Sequence, residues 1–207
     1  MLTVTEIIEY LKRVQAMAKT GLTYTKDAYD LERYEELRDM TNGLLAKLSE
    51  TPLDNIETQF ANLEDDYPTP KIDVRAVVIQ DGKLVLVREK ADGKWAMPGG
   101  WCDIGYTVAE NAVKEVAEET GLEVEAKRVL AVWDKKCHQH PDDLHYVYKI
   151  CLLCEVTGGM LQPGHEVLDA GFFSLSQLPE LSEPRNTNRQ IETLVGQAAR
   201  EQTSLFD

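Results

Sequence analysis

The sequence predicts an α+β protein in which a mixed β-sheet is packed between helices and preceded by a small all-α domain. Three observations indicate this class. Up to Ala61, apolar residues recur at intervals of three and four, as in amphipathic helices. Beyond Lys71, strand-like runs are followed by a helical segment, more strands and a last helix, an order typical of layered α+β domains. Asp81-Gly82 lies between two strand-like runs and marks a β-hairpin.

The amino-terminal part predicts two or three helices. One covers about Thr5 to Lys19 and is closed by Gly21, and a second begins after Asp27 as N-cap. A short third segment follows at Asn55 to Ala61. The second helix carries an apolar stripe that comprises Leu31, Tyr34, Leu37, Met40, Leu44, Leu45 and Leu48.

These helices are too few to bury a large core alone. We therefore expect residues 1–62 to pack on the main domain or on a second copy of the chain, with a homodimer as the preferred role. Residues 63–71 are acidic, contain proline and lack periodicity, which predicts a linker. Residues 72–207 are expected to form the main domain.

Composition limits the possible functions. A net charge of −14 disfavours nucleic-acid binding, which depends on clustered lysine and arginine, but leaves open a small phosphorylated substrate. The amino terminus has neither a signal-peptide nor a membrane-span pattern. Four cysteines without a secreted framework indicate a reducing cytoplasm. Cys151 and Cys154 lie three apart on a predicted strand and should face opposite sides of the sheet, which disfavours a joint metal or redox role.

The main domain should contain several strands and a carboxy-terminal helix. Asp81-Gly82 joins the first two strands, and Gly158 and Gly159 are expected to turn the chain out of a later one. The predicted strands are Val74 to Ile79, Leu84 to Val87, a segment at Trp95, Val124 to Trp133, His145 to Val156 and Asp169 to Ser174, and the predicted helix covers about Pro184 to Arg200.

One predicted helix in this domain has an unfavourable set of charges. It should begin after Thr107, which can form a capping box with Glu110, and end at a glycine, Gly121. Its last turns carry three glutamates on one face, where they repel one another and oppose the helix dipole: Glu115, Glu118 and Glu119. A hard divalent cation with oxygen ligands would offset this repulsion.

The same helix and the Pro98-Gly99-Gly100 turn before it resemble a known motif. From Gly100 to Leu122 the chain is similar to the Nudix box, G-x5-E-x7-R-E-U-x-E-E-x-G-U, where U is a bulky aliphatic residue. The order of strands and helices over residues 72–200 also resembles the Nudix fold. Two positions depart from the box: Tyr106 replaces the first glutamate and Lys114 the arginine. Because these two residues pair in many members, their joint loss suggests a replaced structural contact.

The resemblance implies Mg2+- or Mn2+-dependent hydrolysis of a diphosphate linkage. It assigns metal binding to Glu115, Glu118, Glu119 and the Gly100 carbonyl. The catalytic glutamates would be Glu115, Glu119 and Glu166, the last in a loop where many members carry a glutamate that can act as base. The candidate phosphate contacts are Arg75, Arg88, Lys90 and Lys135, each of which taken singly is no better than a surface charge. Trp101, Trp133 and His138 could stack on or bond to the base, and the alternative is that they pack under the loops.

The substrate stays open at this stage. The helical amino-terminal unit, the GGWxDxG variant of the box and the stretch from Ala131 to His138 resemble a bacterial subgroup of ADP-ribose or CDP-choline pyrophosphatases. Two alternatives remain: a hydrolase that clears damaged nucleoside triphosphates, and a nucleotide sensor without catalysis.

Overall fold

A computed structural model describes residues 3–61, 67–200 and 203–207. The chain divides into two compact units, Met1–Pro70 and Lys71–Asp207. The first is helical and the second contains a mixed sheet with helices, so the predicted fold class is confirmed. Part of the predicted linker, residues 63–66, lies outside the described residues, and its last residue, Lys71, begins the first strand. No helix in the described part is long and apolar enough to cross a membrane.

The first unit contains helices α1 (Val4–Tyr24), α2 (Ala28–Leu48) and α3 (Leu53–Ala61). Thr3 and Glu6 form a capping box at the start of α1, and the predicted N-cap Asp27 accepts hydrogen bonds from two backbone N–H groups of α2. These side chains satisfy backbone donors that a helix start leaves without partners.

The prediction that Gly21 ends α1 is wrong, because the helix continues to Tyr24. Gly21 instead allows a close approach by α2. A Cβ atom built on Gly21 would lie 2.5 Å from ring carbons of Tyr34, so only glycine leaves room for the ring there. The glycine therefore marks a packing contact and not a helix terminus.

Apolar side chains of the first unit remain exposed. On α1, Tyr10, Met17 and Tyr24 recur at seven-residue intervals, which places them on one stripe of the helix. On α2, four members of the predicted stripe are exposed: Leu31, Leu37, Met40 and Leu44. Only scattered apolar residues are ordinary on a surface, whereas stripes on helices are typical of association surfaces.

The second unit contains seven strands and two helices among the described residues. They are β1 (Lys71–Gln80), β2 (Lys83–Glu89), β3 (Trp95–Ala96), α4 (Val108–Thr120), β4 (Leu122–Asp134), β5 (Val147–Gly159), β6 (Val167–Phe173), α5 (Asn188–Ala198) and β7 (Leu205–Phe206). Short 3-10 turns lie at Lys135–Cys137 and Leu175–Gln177.

The sheet has the order β3-β2-β1-β5-β4-β7, with β6 paired to β2. β1 runs parallel to β5, whereas β4–β5 and β2–β6 are antiparallel. One face of the sheet packs with α4 through Ala112 and Val116, and the other packs with α5 through Ile191 and Leu194. Each strand of the β1–β5 pair is therefore covered on both faces, which explains its long buried runs.

The two faces also separate the CxxC cysteines. Cys151 belongs to the core on the α5 side and Cys154 to the core on the α4 side, as the strand alternation predicted. Burial raises the pKa of each thiol to about 12, so both behave as apolar core residues.

Two predicted boundaries are wrong, and one strand was missed. β5 continues through Gly158 and Gly159, and α5 begins at Asn188, where Thr187 forms a capping box, instead of near Pro184. Strand β7 was not predicted. Two residues are too few for a periodic signal, and this strand exists because it pairs with the edge of β4 at Ala131 and Val132.

Candidate active site

Helix α4 is defined by its sequence at both ends. The Thr107 hydroxyl accepts from the backbone N–H of Glu110, whose carboxylate accepts from the Thr107 N–H, as the capping box predicted. Gly121 adopts φ of 68° at the C-cap, a left-handed conformation that glycine takes without strain. With both ends fixed, the buried face of α4 places its glutamates beside the loop that precedes it.

That loop, Met97 to Gly100, is bonded to β1. The N–H of Ala76 donates to the Pro98 carbonyl over 2.9 Å, and the N–H of Val74 donates to the Gly100 carbonyl over 2.8 Å. Gly99 has φ of 139°, and a Cβ atom there would lie 2.0 Å from the Val74 carbonyl oxygen. The close approach of loop and strand thus requires glycine at this position.

The Glu119 carboxylate lies against this loop. It is only 6% exposed, and its Oε2 accepts a 2.9 Å hydrogen bond from the Gly99 N–H. Burial raises the pKa of Glu119 to about 8, the nearby Glu89 and Glu115 carboxylates add to the shift, and the Gly99 N–H and Arg75 oppose it. The site therefore contains a buried carboxylate whose negative charge the protein alone does not fully offset.

Glu115 lies beside the same loop. A Cβ atom on Gly100 would be 3.3 Å from its Oε1 atom, so the glycine leaves just enough room for the carboxylate. Burial raises the pKa of Glu115, and the charges of Glu118 and Glu166 act in the same direction. Two of the three predicted glutamates, Glu115 and Glu119, are thus brought together under the Gly99-Gly100 turn.

The loop that carries Glu166 is held on the carboxy-terminal end of α4. The Gly164 N–H donates to the Glu119 carbonyl over 3.0 Å, and a Cβ atom on Gly164 would clash with the Glu118 carbonyl at 1.7 Å. Glu166 itself is exposed, with its Oε1 atom 3.5 Å from His165 Nε2. Its charge acts on Glu115, so the loop brings this carboxylate within electrostatic range of the half-buried Glu115.

The third glutamate of the box, Glu118, is oriented by Lys114. The Lys114 ammonium lies 3.0 Å from the Glu118 carboxylate and 3.1 Å from that of Asp103. These two partners raise the pKa of Lys114. Asp103, three residues before the half-exposed Tyr106, therefore supplies a carboxylate partner for the basic residue of the box. The sequence pointed to a replaced contact but did not identify Asp103.

Arg75, a candidate phosphate contact, belongs to an internal network and is not a surface charge. Its side chain is buried, and its guanidinium lies 2.9 Å from the Asp73 carboxylate. Its Nη1 atom donates to the Met97 carbonyl over 3.0 Å. Lys149, also buried, pairs with the same Asp73 from β5. Asp73 and Arg75 lie two apart on β1 and so share one face of the strand, and Lys149 pairs with Asp73 from β5. This D-x-R spacing was a sequence signal of the network that the sequence analysis missed.

The other predicted substrate contacts are distributed over the domain. Arg88 donates to the Gly93 carbonyl over 2.7 Å, and Lys135 pairs with Asp143 at 2.6 Å. His138 lies 3.1 Å from an Asp207 carboxylate oxygen, and its ring centroid is 4.7 Å from that of Trp133, with the two rings tilted by 45°. The structure therefore engages these three side chains in contacts of their own and shows none of them touching Glu115 or Glu119.

Trp101 is the aromatic candidate nearest in sequence to the glutamate-bearing loop, since it follows Gly100 directly. Its side chain is half-exposed, with the Lys71 ammonium 5.2 Å from the ring centroid and the His145 ring 6.0 Å away. An exposed indole beside the turn is suited to stacking on a planar group.

Two buried residues near the loop were not predicted. Glu89, at the end of β2, accepts a 2.7 Å contact from Arg185, and burial raises the pKa of its carboxyl group. Asn186 accepts a 2.7 Å hydrogen bond from the Met97 N–H. Both contacts join segments far apart in the chain, so no local pattern could have revealed them.

The donor set suits a hard divalent cation. Glu115 and Glu119 supply oxygen ligands, and the neighbouring Gly99 and Gly100 carbonyls are further oxygen donors. The Gly100 carbonyl accepts one hydrogen bond, from Val74, and keeps a second lone pair for a cation. In the part of the chain that is described, no three His, Cys, Asp or Glu side chains form a ready-made cage. Mg2+ commonly uses one or two carboxylates together with water and substrate phosphate, so the raised pKa values and oxygen donors fit it.

Comparison with known proteins decides the family. A model described as the NUDIX domain matches residues 69–194, and one described as a UDP-X-like N-terminal oligomerisation domain matches residues 5–60. The chain belongs to the Nudix hydrolase family. Nudix hydrolases generally need divalent metal ions, in agreement with the carboxylate site.

Individual relatives agree with this family. The Bacillus subtilis (strain 168) protein YjhB, described provisionally as an ADP-ribose pyrophosphatase, is 44% identical over 92% of this Nudix hydrolase and 91% of its own length. An ADP-ribose pyrophosphatase structure from Streptococcus suis 89-1591 is 44% identical, with a TM-score of 0.62 over 67% of this chain and all of that one. A structure titled UDP-X diphosphatase is 37% identical, with a TM-score of 0.62 over the whole of both chains.

Proposed function

We propose that this Nudix hydrolase cleaves the diphosphate linkage of a nucleoside diphosphate joined to another group, with Mg2+ or Mn2+ as cofactor. The observation that carries the proposal is the convergence of Glu115 and Glu119 beneath the Gly99-Gly100 turn. Burial raises the pKa of both carboxyl groups, and nearby carboxylates add to each shift. Such a pair favours a bound cation and, through it, phosphate oxygens.

Glu115, Glu119 and the carbonyl of Gly100 or its neighbour Gly99 would hold the metal. When bound, the divalent ion neutralises charge on the phosphoryl oxygens and lowers the pKa of water. The Gly99 N–H fixes the orientation of the Glu119 carboxylate through their hydrogen bond. Glu118, held by Lys114, adds negative charge at the edge of the site and can exchange its ammonium partner for the cation.

Glu166 is proposed as the general base. It lies on a loop anchored to the end of α4 and is exposed, so its carboxylate can accept a proton from water that approaches from the solvent side. Glu115 and Glu119 are less suited to this role, because metal coordination and the Gly99 hydrogen bond occupy their oxygens. The base would then lie on the loop and the metal ligands on α4, and the hydrogen bond from Gly164 to Glu119 holds the two elements together.

ADP-ribose is the first substrate proposed. The support comes from YjhB and the Streptococcus suis structure, which align with most or all of their own lengths and carry that activity in their names. UDP-linked compounds are the second, supported by the full-length match to a UDP-X diphosphatase. CDP-choline completes the panel. Trp101 is proposed to stack on the base, because its half-exposed indole adjoins the turn.

The test is a substrate panel with product analysis. We expect ADP-ribose with Mg2+ or Mn2+ to give AMP and ribose 5-phosphate, and Glu119→Gln to reduce kcat by at least about 100-fold with the fold retained. Turnover of the variant at the wild-type rate would refute the metal-site assignment. Preferential release of pyrophosphate from oxidised nucleoside triphosphates would favour a housecleaning role, and tight binding without cleavage would favour a sensor.

The amino-terminal unit is proposed to form a homodimer. Its support is the match to an N-terminal oligomerisation domain, together with the exposed apolar stripes on α1 and α2. Residues 1–62 are accordingly assigned to association and residues 72–207 to catalysis. A cytoplasmic location is proposed because all four cysteines are free thiols.

A further inference from the structure

Both backbone groups of Met97 are held by buried side chains from distant parts of the domain. The Met97 N–H donates to Asn186 Oδ1 over 2.7 Å, and the Met97 carbonyl accepts from Arg75 Nη1 over 3.0 Å. Asn186 is 89 residues away in sequence and Arg75 is 22 residues away. The N–H and the carbonyl of Met97 are therefore each fixed by a side chain from a different part of the domain.

Each of these side chains is itself fixed. Arg75 is bonded to the Asp73 carboxylate, which Lys149 also neutralises. Asn186 lies immediately before Thr187, the N-cap of α5, and its own N–H donates to the Ser182 carbonyl over 3.0 Å. Because neither anchor can move freely, Met97 is held relative to both β1 and α5.

The segment before Met97 is tied to the same region. The Ser182 N–H donates to the Trp95 carbonyl over 2.8 Å, and the Trp95 N–H donates to the Glu180 carbonyl over 2.9 Å. After Met97 the chain reaches Gly99, whose N–H bonds Glu119. The Gly99 N–H belongs to the same planar peptide as the Pro98 carbonyl, which accepts a hydrogen bond from Ala76 over 2.9 Å. The anchors of Met97 and this bond to β1 therefore set the direction of the Gly99 N–H together.

Asn186 has a feature that packing alone does not explain. It is fully buried, and among the described residues its Nδ2 atom has no hydrogen-bond partner. A buried donor without a partner destabilises the fold, but an apolar residue at this position would leave the buried Met97 N–H without its acceptor. The amide is explained if its oxygen is needed to hold the Met97 N–H.

We propose that Arg75 and Asn186 are positioning residues that clamp Met97 and so hold the Gly99 N–H on Glu119 and the turn over the metal ligands. The inference deepens the proposed metal-dependent hydrolysis and rests on it for its kinetic readout. Both residues act through the backbone of Met97. Partners that orient metal ligands commonly change metal affinity or activity by 10- to 100-fold when removed.

The test compares substitutions at Asn186 with a matched control at Gln190. Asn186→Leu removes the acceptor at similar volume, and Asn186→Asp keeps an oxygen acceptor. Gln190 is equally buried and also has an unpartnered amide nitrogen, but its oxygen accepts from the Thr187 N–H and does not reach the loop. Gln190→Leu therefore reports the cost of altering a buried amide on the same segment.

Two readouts are taken on the full chain. Mn2+ affinity, measured calorimetrically without nucleotide, should fall by about 10-fold in Asn186→Leu, return towards wild type in Asn186→Asp and stay unchanged in Gln190→Leu. Turnover of ADP-ribose should show a similar loss in kcat with KM changed less than about twofold. If Asn186→Leu does not fold, Asn186→Ala serves in its place.

The outcomes separate the clamp from the proposed function. Wild-type Mn2+ affinity and kcat in a folded Asn186→Leu or Asn186→Ala variant would overturn the clamp, as would equal losses in Gln190→Leu. A wild-type protein that binds Mn2+ but cleaves none of the panel would refute the proposed function, while the Mn2+ titrations would still decide the role of Asn186.

Discussion

The Gly99 N–H donates a 2.9 Å hydrogen bond to Oε2 of Glu119, and this bond joins the Gly99-Gly100 turn to the helix that carries the proposed metal ligands. The donor comes from a residue that only glycine can occupy, and the acceptor is a buried carboxylate with a pKa raised to about 8. This one contact therefore both positions the turn and orients the carboxylate whose pKa is raised.

The stability of the metal-free protein should depend on the ionisation of Glu119. The pKa of this carboxyl group is higher in the folded state than its ordinary value of 4.5, so its contribution is fully present below pH 4.5 and is lost as pH rises through about 8. One pKa unit corresponds to about 1.4 kcal/mol. We expect the free energy of unfolding in EDTA to fall over this window in wild type, and to fall less in Glu119→Gln by a few kcal/mol.

Urea unfolding at pH 5, 7 and 8.5 measures this difference. Glu89 and Glu115 have pKa values raised in the same direction, so part of the decline should survive in the variant. Saturating Mg2+ should stabilise the wild type at pH 8.5 and have a smaller effect on Glu119→Gln. Identical pH dependence in both proteins would contradict the assignment of an ionisable, uncompensated Glu119.

Gly99→Ala should disable the site and destabilise the fold. The alanine Cβ would lie 2.0 Å from the Val74 carbonyl oxygen at a φ of 139°, so the turn must move away from β1. We expect a loss of roughly 3 kcal/mol in thermal or urea unfolding and of most activity. Gly105→Ala is the matched control, since its φ is 96° but no atom lies within 4 Å of the added Cβ. Equal effects of the two substitutions would show that backbone strain alone, and not the contact with β1, explains glycine at position 99.

Local features of the site could be predicted because they depend on neighbours in sequence. The capping box at Thr107, the helix stop at Gly121 and the opposite faces of Cys151 and Cys154 follow from spacing alone. Contacts between distant segments could not be predicted in this way. The burial of Arg75 depends on Lys149 in a neighbouring strand, and the support of Met97 depends on Asn186 at the start of α5.

Gly21 is a second position at which the sequence pattern did not predict the structure. A glycine after an apolar period commonly ends a helix, yet here it lies within α1 because the Tyr34 ring of α2 packs onto it. The apolar stripe of α2 was predicted correctly as a pattern, but spacing cannot show whether such a stripe is buried inside one chain or left exposed for another. Tertiary packing determines both the position of Gly21 within α1 and the exposure of the α2 stripe.

Glu166→Gln should lower kcat and leave metal affinity near wild type. Its carboxylate is exposed and influences Glu115 only through charge, so the amide removes a proton acceptor without disturbing the buried ligands. A positioned base commonly contributes about 100-fold or more to the rate. Steady-state kinetics on ADP-ribose and Mn2+ titration check both parts. Glu192→Gln, an exposed carboxylate on α5, serves as control, and a wild-type kcat in Glu166→Gln would assign the base elsewhere.

The association surface can be tested by one charge on the exposed stripe of α2. Met40 is 60% exposed, so Met40→Glu should leave the fold of a single chain nearly unchanged while burying an unpaired carboxylate in any interface formed there. We expect light scattering to show the wild type as a dimer and the variant as a monomer at micromolar concentration. Glu35→Gln is the control, because Glu35 is also exposed on α2 but lies outside the apolar stripe. This substitution removes a charge without placing one on the stripe, and the variant should remain dimeric. A Met40→Glu protein that is still a dimer would place the interface on another surface, and deletion of residues 1–62 would then show whether the helical unit is involved at all.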